Sequence, residues 1–196
     1  MVDPWDSVPG WYDWADHYRK VVDLAPNGAT LVEVGVFCGR SLVDLARLAK
    51  ASGKRLRIVG VDTFRGSEEH LGMSGELHGK PPGTLVGNCM DSLVGCGVSD
   101  DVTLMVTTSV NAATFFKDRS LFSVFIDAAH DEENVRADIA AWMPKVTTGG
   151  FLAGHDYGTF PDVTMVVNEV LPDAIPKNGE SYWSMIVDHS RKAVAA

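Results

Sequence analysis

Two rhythms of apolar residues alternate along this chain. Short, nearly continuous apolar runs read as buried strands at residues 30–36 (TLVEVGV), 56–62 (LRIVGVD), 102–106 (VTLMV), 121–127 (LFSVFID), 149–154 (GGFLAG) and 181–187 (SYWSMIV). Between them, apolar positions fall three and four apart, the period of a helix. Residues 41–52 put Leu42, Leu45, Ala46 and Ala49 on one face and stop at Gly53. A short helix is expected near 109–117. Residues 131–146 (DEENVRADIAAWMPKV) repeat Val135, Ile139, Trp142 or Met143, and Val146, with Asp131 as the N-cap. Residues 162–171 form another helix. Strands alternating with helices, the strands apolar on both faces, predict an α/β fold with a mostly parallel sheet covered on both sides.

Such sheets bind ligands outside the carboxyl ends of their strands, near the point where strand order reverses. The first strand ends in EVGVFCGRS, residues 33–41. Gly35 and Gly39 let the backbone turn tightly and approach a ligand, and the helix start behind them offers free N–H groups to an anion. The same glycines would also serve an ordinary strand–helix turn. The spacing is not G-x-G-x-x-G, so a dinucleotide fingerprint is absent. The second strand delivers Asp62, followed by Thr63 and Phe64. A carboxylate there can accept from two ribose hydroxyls, or simply fix a turn. Phe64 can stack on a base or fill the core. The fourth strand ends at Asp127, with His130 just beyond, and the fifth at His155 and Asp156. Asp127, His155 and Asp156 would converge on one mouth. Oxygen and imidazole donors of this kind suit a divalent cation, or they bond one another and a substrate without one.

Charge narrows the partners. Net charge is −9 and the pI about 5.0 in a chain of 196 residues. Without Lys/Arg clusters the chain lacks the basic footprint of a nucleic-acid or anionic-membrane binder, so no nucleic acid and no membrane are expected. No run approaches the ~18 apolar residues of a membrane span, and the start has no signal-peptide pattern. Cys38, Cys89 and Cys96 are odd in number and lack metal-type spacing. They read as free thiols in a reducing cytoplasm, with Cys38 either reactive in its turn or a small core filler.

The segments LVEVGVFCGRSLVDLA, VGVDTFRG and SVFIDAAHDEENVRADIAAWMPKVTTGGFLAGHDY carry a resemblance. They resemble class I S-adenosylmethionine-dependent methyltransferases, and more narrowly the methyltransferase domain 24 group. That group includes relatives of macrolide and antibiotic-sugar O-methyltransferases and cephalosporin-hydroxylase-like proteins. The resemblance covers roughly residues 28–187. It implies a Rossmann-like sheet whose final strand is antiparallel, and a methyltransferase domain over 28–190 behind an aromatic-rich segment at 1–27. It implies O-methylation of a small-molecule hydroxyl, with S-adenosylmethionine as cofactor and a divalent metal, magnesium or manganese, as a possible second. A metal-independent O/N-methyltransferase and a non-catalytic cofactor-binding protein are the alternatives.

Carried onto this sequence, the resemblance gives Glu33, Gly35, Val36, Gly39 and Ser41 to the cofactor's methionine site, and Asp62 and Thr63 to its ribose. Thr108 and Ser109 would lie near the adenine, and Asp127 beside the sulfonium. Asp127, His155 and Asp156 would be the metal ligands. Relatives often carry I-D-G-x-H or I-D-G-D. Here Ala128 and Ala129 replace the acidic residue, which leaves His130, beside Asp127, as the candidate base. A histidine titrates close enough to neutrality for that work.

Two segments would shape the acceptor pocket. Residues 65–87 are rich in Gly and Pro and read as a long binding loop, with Glu68, Glu69, His70, Glu76 and His78 as solvated positions. Near the N-terminus, Trp11, Trp14 and Tyr18 fall at the spacing of one helical face. They would close over the cofactor, form a homodimer or higher-order interface, or dock on the domain's own core.

Overall fold

The structure is a computed structural model and describes residues 4–66, 79–81, 83–174 and 181–190. Its strands are β1 (Thr30–Val34), β2 (Arg57–Asp62), β3 (Val102–Val106), β4 (Leu121–Ile126), β5 (Val146–Gly154) and β6 (Trp183–Ile186). They form one sheet in the order β3-β2-β1-β4-β5-β6. All neighbours are parallel except β5 and β6, as the resemblance implied. The order reverses between β1 and β4, so their carboxyl ends flank the natural binding crevice.

The helices are α1 (Ala15–Leu24), α2 (Arg40–Ala51), α3 (Thr84–Gly95), α4 (Ser109–Ala113), α5 (Glu132–Trp142) and α6 (Pro161–Val170). Alternation along β1 sorts them into two layers. Leu31 packs with α1, α2 and α3, through Tyr18, Val21, Leu42, Leu45, Leu85 and Leu93. Val32 and Val34 face the other layer, with Ala112 of α4, Val135 and Trp142 of α5, and Val166 of α6. Gly154 shows how closely the last strand is packed. A Cβ there would stand 2.5 Å from the Trp183 ring, so no side chain fits between β5 and β6.

Boundaries differ from the sequence reading, chiefly in three helices. The predicted helix over 131–146 ends at Trp142, because Pro144 breaks it into a 3₁₀ turn over Met143–Lys145. The short helix near 109–117 closes at Ala113. The predicted loop over 65–87 already contains the start of α3 at Thr84, whereas Glu68, Glu69, His70, Glu76 and His78 lie outside the described residues. Among the described residues, no helix is long and apolar enough to cross a membrane.

The N-terminal aromatics divide. Trp14 and Tyr18 are buried in the domain's own core, Trp14 stacking on Phe125 with centroids 4.7 Å apart. Trp11 precedes the helix, so the single helical face expected for all three does not form; it stands exposed beside Phe37. The segment ahead of α1 is strapped to α2. Trp5 Nε1 donates to the Arg40 carbonyl, Arg40 donates to the Val8 carbonyl, and the Tyr12 hydroxyl donates to Asp44.

Candidate active site

A cavity of about 1040 Å³ opens across the carboxyl ends of β1, β2, β4 and β5. Its first wall is the turn after β1. Gly35 has φ +87°, and a Cβ there would lie 1.7 Å from the Asp127 carbonyl oxygen, so only glycine lets the two strand ends touch. Val36 and Ser41 line the cavity from this turn. Gly39 does not; it has φ +88° and caps α2 against Cys89 Sγ. Cys38 and Cys89 are buried thiols outside any disulfide, and burial pushes the Cys89 thiol up to about 12, with Glu33 adding to the effect. Cys38 is thus core filler in place, 3% exposed.

Asp62 and Thr63 enter from β2. One Asp62 oxygen accepts from the Val36 and Phe37 backbone N–H groups at 2.8 and 2.9 Å, the other from Phe64 N–H at 2.7 Å. The carboxylate therefore ties the β1 and β2 turns together through the N–H groups of the turn ahead of α2. An ionised carboxyl has about four acceptor positions, so little more than one is left for a ribose hydroxyl rather than two. Phe64 is core and not a wall of the cavity.

Glu33 corrects the sequence reading. It faces the α1/α2 layer, two residues beyond Leu31 on the same side of the strand, and lies beneath the cavity without lining it. It is completely buried, and accepts from the Tyr18 hydroxyl at 2.5 Å and the Ser41 hydroxyl at 2.7 Å. Burial pushes its pKa up to about 8 against the pull of those two donors.

Beyond β3, Thr108 and Ser109 line the cavity as placed. Ser109 is also part of a network that sequence reasoning missed. Its hydroxyl accepts from Trp142 Nε1 at 2.9 Å and bonds Asp138 of α5, which lines the cavity too. The signal was present: Asp138 lies three residues after Val135 and one before Ile139, an acid on the core-facing stripe.

At the other end Asp127, His130, His155 and Asp156 come together, as β4 and β5 are neighbours. His130 Nε2 is 2.9 Å from Asp156 Oδ2, and its ring stacks on Phe160 at 3.9 Å. His155 Nδ1 sits 3.4 Å from Asp127 Oδ1 and 3.3 Å from Asp156 Oδ1. Its Nε2 faces Asp13 at 3.3 Å and Ser181 at 3.2 Å, and Ser181 donates to Asp13 at 2.6 Å. Asp13, in the N-terminal strap, is a second residue the strand-end rule could not find. Asp156 holds φ +67°, an uncommon backbone for a non-glycine residue that persists where the surroundings enforce it.

The charges in this cluster diverge. Burial opposes the His155 cation, yet its bonds to Asp127 and Asp156 outweigh that and raise it to about 10. Burial would raise Asp156, but the imidazoles of His130 and His155 hold it well below the usual carboxylate range. Asp127 goes up, since burial outweighs the help from His155. One donor atom each from Asp127, His130 and Asp156 lie within 4.8 Å of one another, and His155 is adjacent. Two carboxylates and an imidazole suit a divalent cation of the magnesium–manganese–zinc type.

Comparison with known proteins agrees with this geometry. The family model described as a methyltransferase domain matches residues 32–157. Cofactor-bound Rv0187 from MTB aligns with a TM-score of 0.64 at 17% identity, covering 94% of this chain and 86% of that one. CalS11, a TDP-rhamnose 3'-O-methyltransferase of calicheamicin biosynthesis, aligns at 0.62 and 18%, covering 88% and 77%. An RNA methyltransferase from Salinibacter ruber in complex with S-adenosyl-L-homocysteine aligns at 0.56 and 16%, covering 93% and 95%. At these identities the likeness is one of fold.

Proposed function

The chain belongs to the methyltransferase domain family and is an S-adenosylmethionine-dependent methyltransferase, and on that footing we propose that it methylates a hydroxyl of a small molecule. The observation that carries this reading is the Asp127–His130–His155–Asp156 cluster at one end of a cavity large enough for a nucleoside cofactor and an acceptor. S-adenosylmethionine, when bound, supplies a methyl group already activated on a sulfonium. Asp62 and Thr63 would hold its ribose, Gly35, Val36 and Ser41 its methionine end, and Asp127 would face the sulfonium. Glu33 and Gly39 shape that wall from behind.

What is left to the protein is position and a proton. Alignment of the two reactants can contribute as much as about 7–11 kcal/mol. His130 takes the acceptor's proton, and Asp156, bonded to its Nε2, stabilises the imidazolium that results. A hydroxyl is a poor acid, so a base alone gives a limited return. Asp127 and Asp156, joined by His155 once it gives up its proton, would hold a divalent cation, which when bound would supply the Lewis acidity that makes the hydroxyl more acidic.

The acidic surface favours a small acceptor over RNA, although RNA methyltransferases share the fold. CalS11 is named for a sugar hydroxyl, which makes glycosides the first acceptors to test. The assay follows S-adenosylhomocysteine release with glycosides, phenols, amines and an rRNA transcript, each with manganese and with chelator. Turnover on a hydroxylated small molecule, strongest with metal, is expected. Turnover on the transcript alone, or on amines in preference, would overturn the proposal.

A further inference from the structure

Asp138 is an acid in a place that burial should disfavour. It is 4% exposed, stands on the apolar stripe of α5 between Val135 and Trp142, and still lines the cavity. Burial pushes it up to about 6. Among the described residues its side-chain donor is the Ser109 hydroxyl. A carboxyl offers about four acceptor positions, and a buried acid with acceptors unfilled is costly unless a ligand completes it. An aliphatic residue would close the α4–α5 contact as well. The carboxyl is therefore placed for something in the cavity that donates an N–H.

Its position says what. Asp62 and Thr63 stand on one side, Thr108 and Ser109 at the end of β3 beside it, and the Asp127 cluster at the far end of the same cavity. With the ribose at Asp62 and the sulfonium at Asp127, the cofactor's base lies toward Thr108, Ser109 and Asp138. Adenine presents an exocyclic amine there; a 6-oxopurine presents a carbonyl oxygen, an acceptor facing an acceptor. We infer that Asp138, from α5, reads the cofactor's purine by accepting the adenine amine, and so selects adenosyl over 6-oxopurine ligands. The inference rests on the cofactor reading above.

Calorimetry with S-adenosylhomocysteine and with S-inosylhomocysteine tests both. The wild type should bind the adenosyl compound about tenfold or more tightly, since a site built to bond a donor rejects a ligand lacking it. Asp138→Asn, whose amide can meet either base edge, should narrow that ratio to within about threefold, with the unliganded melting temperature near wild type. Trp142→Phe is the structural control: it cuts the bond to Ser109 that ties α5 to α4, at a residue outside the cavity, and should leave the preference standing. Equal affinity of the wild type for the two compounds, or an Asp138→Asn variant that weakens both by the same factor, overturns the inference while leaving the cofactor reading intact. No binding of S-adenosylhomocysteine to the wild type overturns the cofactor reading itself. Should Asp138→Asn fail to fold, Asp138→Ala carries the same comparison.

Discussion

Glu33→Gln gives the sharpest test of the site's foundation. Glu33 is fully buried under the first wall, with Tyr18 and Ser41 donating to its two oxygens. Burial, with Asp127 and Asp62 adding to it, raises the group from an ordinary 4.5 to about 8, and the two hydroxyls offset only part of this. Folded protein at pH 6.5 therefore holds a proton on Glu33 that the unfolded chain has released. Between about pH 4.5 and 8 unfolding gives up that proton, so raising the pH favours unfolding. The slope is up to about 1.4 kcal/mol per pH unit, or roughly 4–5 kcal/mol over the whole window. Glutamine is close in shape to the neutral acid and cannot lose the proton: its oxygen accepts from one hydroxyl and its amide donates to the other. Urea unfolding at half-unit steps from pH 5 to 9, on both proteins, reads the difference. Asp138, Asp127 and His155 are also raised and lose stability in the same direction, but they are present in both proteins and cancel. Wild-type stability should fall relative to Glu33→Gln up to about pH 8 and then run parallel to it. A difference that is flat, or that rises with pH, would refute the buried neutral acid.

Two further outcomes follow from the same geometry. Gly35→Ala would push a methyl to 1.7 Å from the Asp127 carbonyl oxygen and 2.4 Å from its carbon, with φ at +87°, and neither contact can swing aside because both atoms are backbone. It should cost more than about 4 kcal/mol in urea unfolding, and a loss under about 1 kcal/mol would show that the strand ends can part. His130→Ala should lower turnover by about 10²–10⁴-fold while the affinities for S-adenosylhomocysteine and for manganese stay within about threefold; a matching loss of manganese affinity would make His130 a ligand in place of a base.

What the sequence revealed, and what it hid, has a physical pattern. Strand ends were legible because each buried run of β-branched and aromatic residues stops at a polar residue, and in a parallel sheet those stops share one edge. That brought Asp62, Asp127, His155 and Asp156 to one cavity. Helix α3 was not legible. Leu85, Cys89 and Leu93 are its buried positions at a spacing of four, but Gly87 and Gly95 interrupt the stretch and GKPPG precedes it. The resemblance gave Glu33 to the cofactor's methionine site, although alternation from Leu31 already turned it toward α1 and α2. Asp13 and Asp138 reach the cavity from a strap and a helix, and no strand-end rule reaches them.

The cavity carries its acids at unequal strength, and the inequality fits the proposed chemistry. Asp62 is satisfied by three backbone donors, and Asp156 by two imidazoles. Asp138 is partly relieved by Ser109, and Glu33 is removed beneath the wall. Asp127, like Asp138, faces the cavity with its ionised form disfavoured by burial, and its help comes from His155. A half-buried carboxylate in that position is stabilised by whatever positive charge enters beside it, and the interaction is stronger there than in water. A sulfonium carries that charge and its demethylated product does not. With the cofactor placed as proposed, Asp127 would hold the charged reactant more strongly than what the reaction leaves behind, which would give the cavity a direction from charged reactant to neutral product.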